Sequence, residues 1–165
     1  MVSVGDSPVV LVEAPRFGDE RGWFMETYNA RRWADQGVAA DFVQDNQSYS
    51  SAVGTLRGLH FQRPPHAQAK LVRCVRGSIL DVAVDLRAGS PTYGQWVGAV
   101  LDALNGRQLF VPAGFAHGFV TLVPDCEIAY KVSDFYAPEC DGGIRWDDLE
   151  IAVPAFLTIV LMPFT

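Results

Sequence analysis

Three side chains in strand-like segments of this sequence can together move a proton at a carbon atom. His60 lies in LRGLHFQ, Lys70 in AKLVRCV and Tyr130 in EIAYKVS. A histidine titrates near neutral pH and can act as the base, and a lysine ammonium can stabilise negative charge that develops on a neighbouring carbonyl oxygen. A tyrosine hydroxyl on the opposite side can return a proton and so invert the carbon. Each residue alone fits an ordinary strand position, so the interpretation rests on the combination.

The histidines also bear on whether a metal ion is expected. Small β-barrels often hold a metal through a His-x-His pair, a glutamate a few residues later and a third histidine in a later strand. This sequence has no such pair: His60 is followed by Phe61 and Gln62, His66 lies in a predicted loop, and His117 lies in PAGFAHGF. The spacing therefore predicts a site without a metal ion.

Arg57 and His60 pose a geometric problem because they belong to the same predicted strand. Strict alternation places their side chains on opposite faces. Both can reach one site only if the strand is bulged near Gly58, since a glycine lets a strand kink or another backbone approach closely.

The rest of the chain has the pattern of turn residues and short apolar runs that is typical of a mostly β protein. Tyr28–Gln36 is the one helical candidate, with Asn29 as its cap and Gly37 at its end. Short β-branched or aromatic runs, separated by Gly, Pro, Asn or Asp about every ten residues, predict strands. They are Lys70–Val75, Ser78–Leu86, Trp96–Leu101, Gln108–Val111, Gly118–Leu122 and Ile128–Ser133. Such spacing favours a sandwich, jelly roll or barrel over βαβ units.

Composition limits the class of protein. The 165 residues are 49% hydrophobic and 19% charged, which is typical of one globular domain, here residues 1–165. The net charge of −6 argues against a sequence-independent nucleic-acid binder. Cys74, Cys126 and Cys140 lack CxxC spacing, which indicates free thiols. Met1–Gly5 lacks the basic start and the apolar stretch of a signal peptide, and no uncharged apolar run reaches about 18 residues, so we expect a cytoplasmic protein with no membrane partner. Residues 151–165 form an atypical, nearly all apolar tail.

Several long motifs occur in the order expected of one family. They are FGDERGWFMETYN, FVQDNQSYS, LRGLHFQ, QAKLVRCVRGSILDVAVDLR, SPTYGQW, RQLFVPAGFAHGFVTL and YKVSDFYAPECDGGIRW, and they extend from about Phe17 to Trp146. On these motifs the sequence resembles the dTDP-4-dehydrorhamnose 3,5-epimerases. The resemblance implies a cupin-type jelly-roll β-barrel with one or two short helices, no metal or other cofactor, and a homodimer whose N-terminal strand is shared between subunits.

The same resemblance implies an isomerase that inverts C3 and C5 of dTDP-4-dehydro-6-deoxy-D-glucose to give dTDP-4-dehydro-L-rhamnose. It makes His60 of RGLH the base, Tyr130 of the YK pair the acid, and Lys70 of AKLVR a contact near the keto group. Other matching positions line the sugar site or hold the deoxythymidine diphosphate: Phe17, Arg21, Glu26, Gln44, Asp45, Asn46, Arg57, Asp81, His117, Tyr136 and Asp141. Among them, Asp81 is expected to hydrogen-bond His117. Arginines suit a diphosphate because a guanidinium donates two charge-assisted hydrogen bonds at once.

One segment departs from the family pattern. Family members typically end in a segment resembling LSxKD, whose aspartate pairs with the catalytic histidine, whereas residues 154–165 read PAFLTIVLMPFT. Two alternatives stay open beside double epimerisation: an epimerase that inverts a single carbon, C3 or C5, of a dTDP-4-keto-deoxysugar in secondary metabolism, and a non-catalytic protein that binds nucleotide sugars. Retention of His60, Lys70 and Tyr130 argues against the second.

Overall fold

The glycines, prolines and asparagines of the sequence mark the ends of short strands. A computed structural model of the chain describes residues 7–148, 150, 151 and 153. The elements are β1 (Val10–Glu13), β2 (Arg16–Asp19), β3 (Gly22–Met25), α1 (Ala30–Asp35), β4 (Gln44–Ser50), β5 (Leu56–Gln62), β6 (Lys70–Arg76), β7 (Ser78–Asp85), β8 (Trp96–Asp102), β9 (Arg107–Val111), β10 (Phe115–Thr121), β11 (Cys126–Val132), a 3₁₀ helix (Pro138–Cys140) and β12 (Asp141–Gly143).

The strands β4 to β11 are arranged as a jelly roll. Apart from the β7–β8 hairpin, successive strands alternate between two antiparallel sheets. The neighbours are β4, β11, β6 and β9 in the first sheet and β5, β10, β7 and β8 in the second. β1 extends the first sheet beside β9, β12 extends the second sheet beside β5, and β2 pairs with β3 in a separate hairpin. The predicted mostly β, jelly-roll fold is confirmed.

The main core lies between the two sheets, because one face of each strand is apolar. Leu109 and Ile128 of the first sheet pack in one cluster with Ile79 and Leu101 of the second, and all four are fully buried. Burying a side chain of this size contributes about 1.5–3 kcal/mol. A further apolar cluster covers the outer face of the second sheet and includes Val153. Strand β10 is consequently buried at every position.

The bulge predicted near Gly58 is present in β5. His60 is paired with His117, and Arg57 with Phe119, so three steps along β5 match two steps along β10. Gly58 has a φ of +124°, and a Cβ built on it would lie 2.5 Å from the Cα atom of Gly118. Only glycine fits this close approach. The extra residue turns Arg57 and His60 toward the same side of the strand.

The predicted helix is confirmed in a shorter form. The α1 helix spans Ala30–Asp35, and the Asn29 side chain caps it by accepting a hydrogen bond from the backbone N–H of Arg32. Trp33 is the buried residue of this helix, and Gly37 follows the helix with a φ of +93°. No helix in the described part of the chain is long and apolar enough to cross a membrane.

Candidate functional site

Both sheets contribute residues to a cavity of about 750 Å³. Strands β4, β6 and β11 form one wall, and β5 and β10 form the facing wall. The lining residues are Gln44, Asn46, Ser48, Leu56, Arg57, Gly58, His60, Phe61, Gln62, Gln68, Lys70, His117, Phe119, Tyr130, Tyr136 and Asp141. The three side chains with proton-transfer chemistry, His60, Lys70 and Tyr130, therefore meet in one cavity.

The two histidines of the cavity are direct neighbours across β5 and β10, where His60 is paired with His117. His117 Nε2 lies 2.8 Å from Oδ1 of Asp81, which is fully buried on β7. This confirms the expected hydrogen bond. The second carboxylate oxygen of Asp81 has no hydrogen-bond partner among the described residues. The carboxylate fixes the orientation of His117 and adds negative charge behind the cavity wall.

Lys70 contributes a positive charge to the opposite wall. Its Nζ lies 3.4 Å from the backbone oxygen of His60. Burial lowers the pKa of Lys70 to about 8, and the negative charges of Asp81 and Asp141 oppose that change. The ammonium form therefore still prevails at neutral pH, where it can stabilise an oxyanion.

Tyr130 lies on β11, beside β6, and faces the cavity from the first sheet. Burial raises its pKa above the ordinary value of 10.0, although the charge of Arg57 acts in the other direction. The hydroxyl is therefore protonated at neutral pH and can donate a proton. His60 lies on the second sheet, so the two side chains face the cavity from different walls.

Arg57 is held by strand β4 in a fixed orientation. Its Nε donates to Ser50 Oγ at 3.1 Å, and its Nη2 donates to the backbone oxygen of Tyr49 at 3.0 Å. A guanidinium has five N–H donors, and the described residues leave three of them for a ligand in the cavity. A guanidinium that is held in one orientation suits the binding of a phosphate group.

Alternation along β4 separates the three residues of its QDN motif. Gln44 and Asn46 line the cavity, and Gln44 Nε2 donates to Asn46 Oδ1 at 2.9 Å. Asp45 points to the other face of the sheet, where its carboxylate accepts from Lys131 Nζ at 2.8 Å. The same alternation places Ser48 in the cavity. The family motifs did not indicate Ser48, although the period-two pattern of β4 includes it.

Three predicted ligand residues lie away from the cavity, on or beside the β2–β3 hairpin. Phe17 is 60% exposed. Arg21 is ion-paired with Asp19 on the surface, and Glu26 accepts from Arg32 Nη1 at 2.9 Å. Within a single chain, Phe17, Arg21 and Glu26 do not line the cavity. Among the described residues, no group of three or more His, Cys, Asp or Glu side chains is placed to hold a metal ion.

The fold and this site define a jelly-roll protein whose cavity combines proton-transfer groups with a guanidinium suited to phosphate. The sequence profile of the dTDP-4-dehydrorhamnose 3,5-epimerases matches residues 7–162, and the chain belongs to this family of isomerases. It is 52% identical to the dTDP-4-dehydrorhamnose 3,5-epimerase of Sinorhizobium fredii over 96% of this chain and 83% of that protein.

Two solved structures of relatives have the same fold. The dTDP-4-dehydrorhamnose 3,5-epimerase of Bacillus anthracis, crystallised with TDP and PPi bound, is 49% identical with a TM-score of 0.88, covering 93% of this chain and 90% of that one. The dTDP-6-deoxy-D-glucose-3,5-epimerase of Legionella pneumophila, in complex with dTDP-4-keto-L-rhamnose, is 43% identical with a TM-score of 0.86, covering 93% and 81%.

Proposed function

We propose that this chain inverts C3 and C5 of dTDP-4-dehydro-6-deoxy-D-glucose and gives dTDP-4-dehydro-L-rhamnose. The observation that carries the proposal is the placement of His60 and Tyr130 on facing sheets of one cavity, which Lys70 also lines. Family membership and the dTDP-4-keto-L-rhamnose bound to the Legionella pneumophila relative support the choice of substrate.

Each inversion needs a base, an oxyanion stabiliser and an acid. His60 takes the proton from the carbon next to the ketone, and the electron pair of the broken C–H bond forms an enolate. The Lys70 ammonium stabilises the enolate oxygen, and His117 lines the same side of the cavity as His60. Tyr130 then donates its proton to the opposite face of the carbon. The reaction consumes no oxidant or reductant, and we propose that it needs no metal or other cofactor.

We propose that the nucleotide lies on the β4 side of the cavity. Arg57, fixed by Ser50 and by the Tyr49 carbonyl, would hold the diphosphate with its free N–H groups. Gln44 and Asn46 add amide groups next to it, and we assign Tyr136 and Asp141 to the mouth of the same site. The TDP bound to the Bacillus anthracis relative supports a nucleotide ligand of this kind.

We further propose that the chain works as a homodimer. The β2–β3 hairpin exposes Phe17, Trp23 and Phe24 to 60%, 60% and 68%, which is a large apolar surface for so short an element. A second chain that covers this hairpin would bring Arg21 and Glu26 to a neighbouring cavity. We propose in addition that residues 1–165 act as one domain in the cytoplasm.

The experiment is to incubate the purified protein with the 4-keto sugar nucleotide in D₂O and to follow deuterium at C3 and C5 by NMR. We expect exchange and inversion at both carbons, unaffected by EDTA, and no reaction with His60→Ala. Exchange at one carbon only would favour a single-carbon epimerase. Binding of dTDP without exchange would favour the non-catalytic alternative, and restoration of an EDTA-abolished activity by zinc would contradict the cofactor-free mechanism.

A further inference from the structure

The glutamine that ends strand β5 has no role in the chemistry described so far, yet it is one of the most fully bonded side chains of the cavity. Gln62 lies two residues beyond His60, lines the cavity and is only 6% exposed. Its Nε2 donates to the backbone oxygens of His66 at 2.7 Å and Phe135 at 3.1 Å. Its Oε1 accepts from the backbone N–H of Ala137 at 2.8 Å. Both amide hydrogens are therefore used inside the protein.

Two of these hydrogen bonds hold the backbone on either side of Tyr136. The Phe135 carbonyl precedes Tyr136 and the Ala137 amide follows it, so one side chain fixes both peptide groups that flank the tyrosine. The Tyr136 side chain itself lines the cavity although the residue is 61% exposed. A large exposed aromatic side chain at a cavity mouth is placed to contact a ligand, and its position depends on its backbone.

A second glutamine strengthens the same connection. Gln68 Nε2 donates to the backbone oxygen of Asp134 at 2.7 Å, and the Asp134 carboxylate lies 3.1 Å from Nδ1 of His66. The loop between β5 and β6 is thus tied to the loop after β11 at several points. Gln62 is the buried member of this network, and it shares its strand with His60. Strand β5 therefore places the Tyr136 loop relative to the proton-transfer groups.

We propose that Gln62 is a positioning residue that sets the Tyr136 ring at the cavity mouth and thereby determines the affinity for the nucleotide sugar. The inference rests on the proposed function, because it takes a dTDP-sugar as the ligand. Gln62 does not touch the reacting carbons in this scheme. Its loss lets the Tyr136 loop shift and weakens binding, while the arrangement of His60, Lys70 and Tyr130 is kept.

The test compares Gln62→Met with the wild-type protein. Methionine has a similar length and fills the same space but forms none of the three hydrogen bonds. We expect KM, and the Kd for dTDP measured by calorimetry, to rise about tenfold, which corresponds to about 1.4 kcal/mol of binding free energy. We expect kcat to stay unchanged. A merely structural role would instead lower the active fraction, so that kcat would fall while KM stayed the same, and this result would overturn the proposal.

A double-mutant cycle then asks whether Gln62 acts through Tyr136. In a Tyr136→Ala background, Gln62→Met is expected to change the Kd for dTDP little further, because the ring that it positions is gone. Fully additive effects would overturn the proposal. The matched control is Gln47→Met, since Gln47 bonds to Glu127 on the other face of β4 and is expected to leave both constants unchanged.

A measurement on the wild-type protein covers the case in which Gln62→Met does not fold. The Ala137 amide that donates to Gln62 should resist hydrogen exchange, and dTDP should increase its protection. Fast exchange of this amide in the presence of saturating dTDP would overturn the proposal. Failure of the proposed function has a different signature, namely a wild-type protein that neither binds dTDP nor exchanges deuterium into the 4-keto sugar.

Discussion

Replacing Lys70 by methionine is expected to make the protein more stable and far less active. Burial lowers the pKa of Lys70 from its ordinary value of 10.5 to about 8, which means that the folded protein disfavours the charged form. Each tenfold change in proton affinity corresponds to about 1.4 kcal/mol, so the full penalty is about 3 kcal/mol. Because the cavity admits water that screens the charge, we expect a measured gain of about 1 to 2 kcal/mol.

The pH dependence separates this penalty from an ordinary packing change. Between pH 8 and 10.5, the interval given by the lowered and ordinary pKa values, the unfolded chain holds more protons on Lys70 than the folded chain. Wild-type stability therefore rises across this interval as the buried charge is lost. The advantage of Lys70→Met is complete below the lower value and disappears above the upper one.

The assay is urea unfolding followed by the fluorescence of the four tryptophans. It is run on both proteins at a pH below and a pH above this interval, with kcat measured in parallel. We expect kcat to fall by about 10² to 10³, the usual loss for one oxyanion stabiliser. Lys131→Met is the control, because Lys131 is paired with Asp45 outside the cavity and its loss should bring no stability gain. A stability difference that does not change with pH, or an unchanged kcat, would refute the reasoning.

Three further substitutions test the cavity and its strand. His60→Ala should abolish deuterium exchange at C3 and C5 in the NMR assay, and residual inversion would require another base. Tyr130→Phe should keep exchange on the starting face but slow inversion, so equal loss of both would contradict its role as the acid. Gly58→Ala should lower the unfolding free energy by more than about 2 kcal/mol, because the new Cβ meets the backbone of β10. Gly89→Ala is the control, with a φ of +78° but no atom within 4 Å of the added Cβ, and an equal loss in both variants would show that backbone strain alone is responsible.

The sequence predicted the strands of the jelly roll well where turn residues bound an apolar run. The runs between residues 70 and 133 correspond to β6 to β11, with the largest difference at β10, which begins at Phe115 rather than Gly118. The short strands β1, β2 and β12 have only three or four residues each. Their pairing depends on which neighbour the fold provides, and local sequence does not specify that.

The sequence motifs identified several side chains that line the cavity. They did not identify the hydrogen bonds that hold the surrounding loops in place. His60, Lys70, Tyr130 and Arg57 stood out by type, and the bulge at Gly58 was required for two of them to share a site. Gln62 gave no signal, because a polar residue in a strand has the same pattern whether it faces water or bonds to a neighbouring loop. Only the three-dimensional path of the loop after β11 distinguishes the two.

A base at the position of His60 needs a partner for its second ring nitrogen, since a hydrogen bond there fixes the tautomer and stabilises the imidazolium. The tail that departs from the family pattern lies outside the described residues, and 154–165 contains no carboxylate. Asp81 is bonded to His117 through Oδ1 and lies on β7, which β10 separates from the strand of His60. Strand β12 runs beside His60, so that a Cβ built on Gly143 would lie 3.8 Å from His60 Nδ1. Asp141 begins that strand and is the one carboxylate among the described lining residues. Among the described carboxylates, we therefore expect Asp141 to be the one that supports the His60 ring.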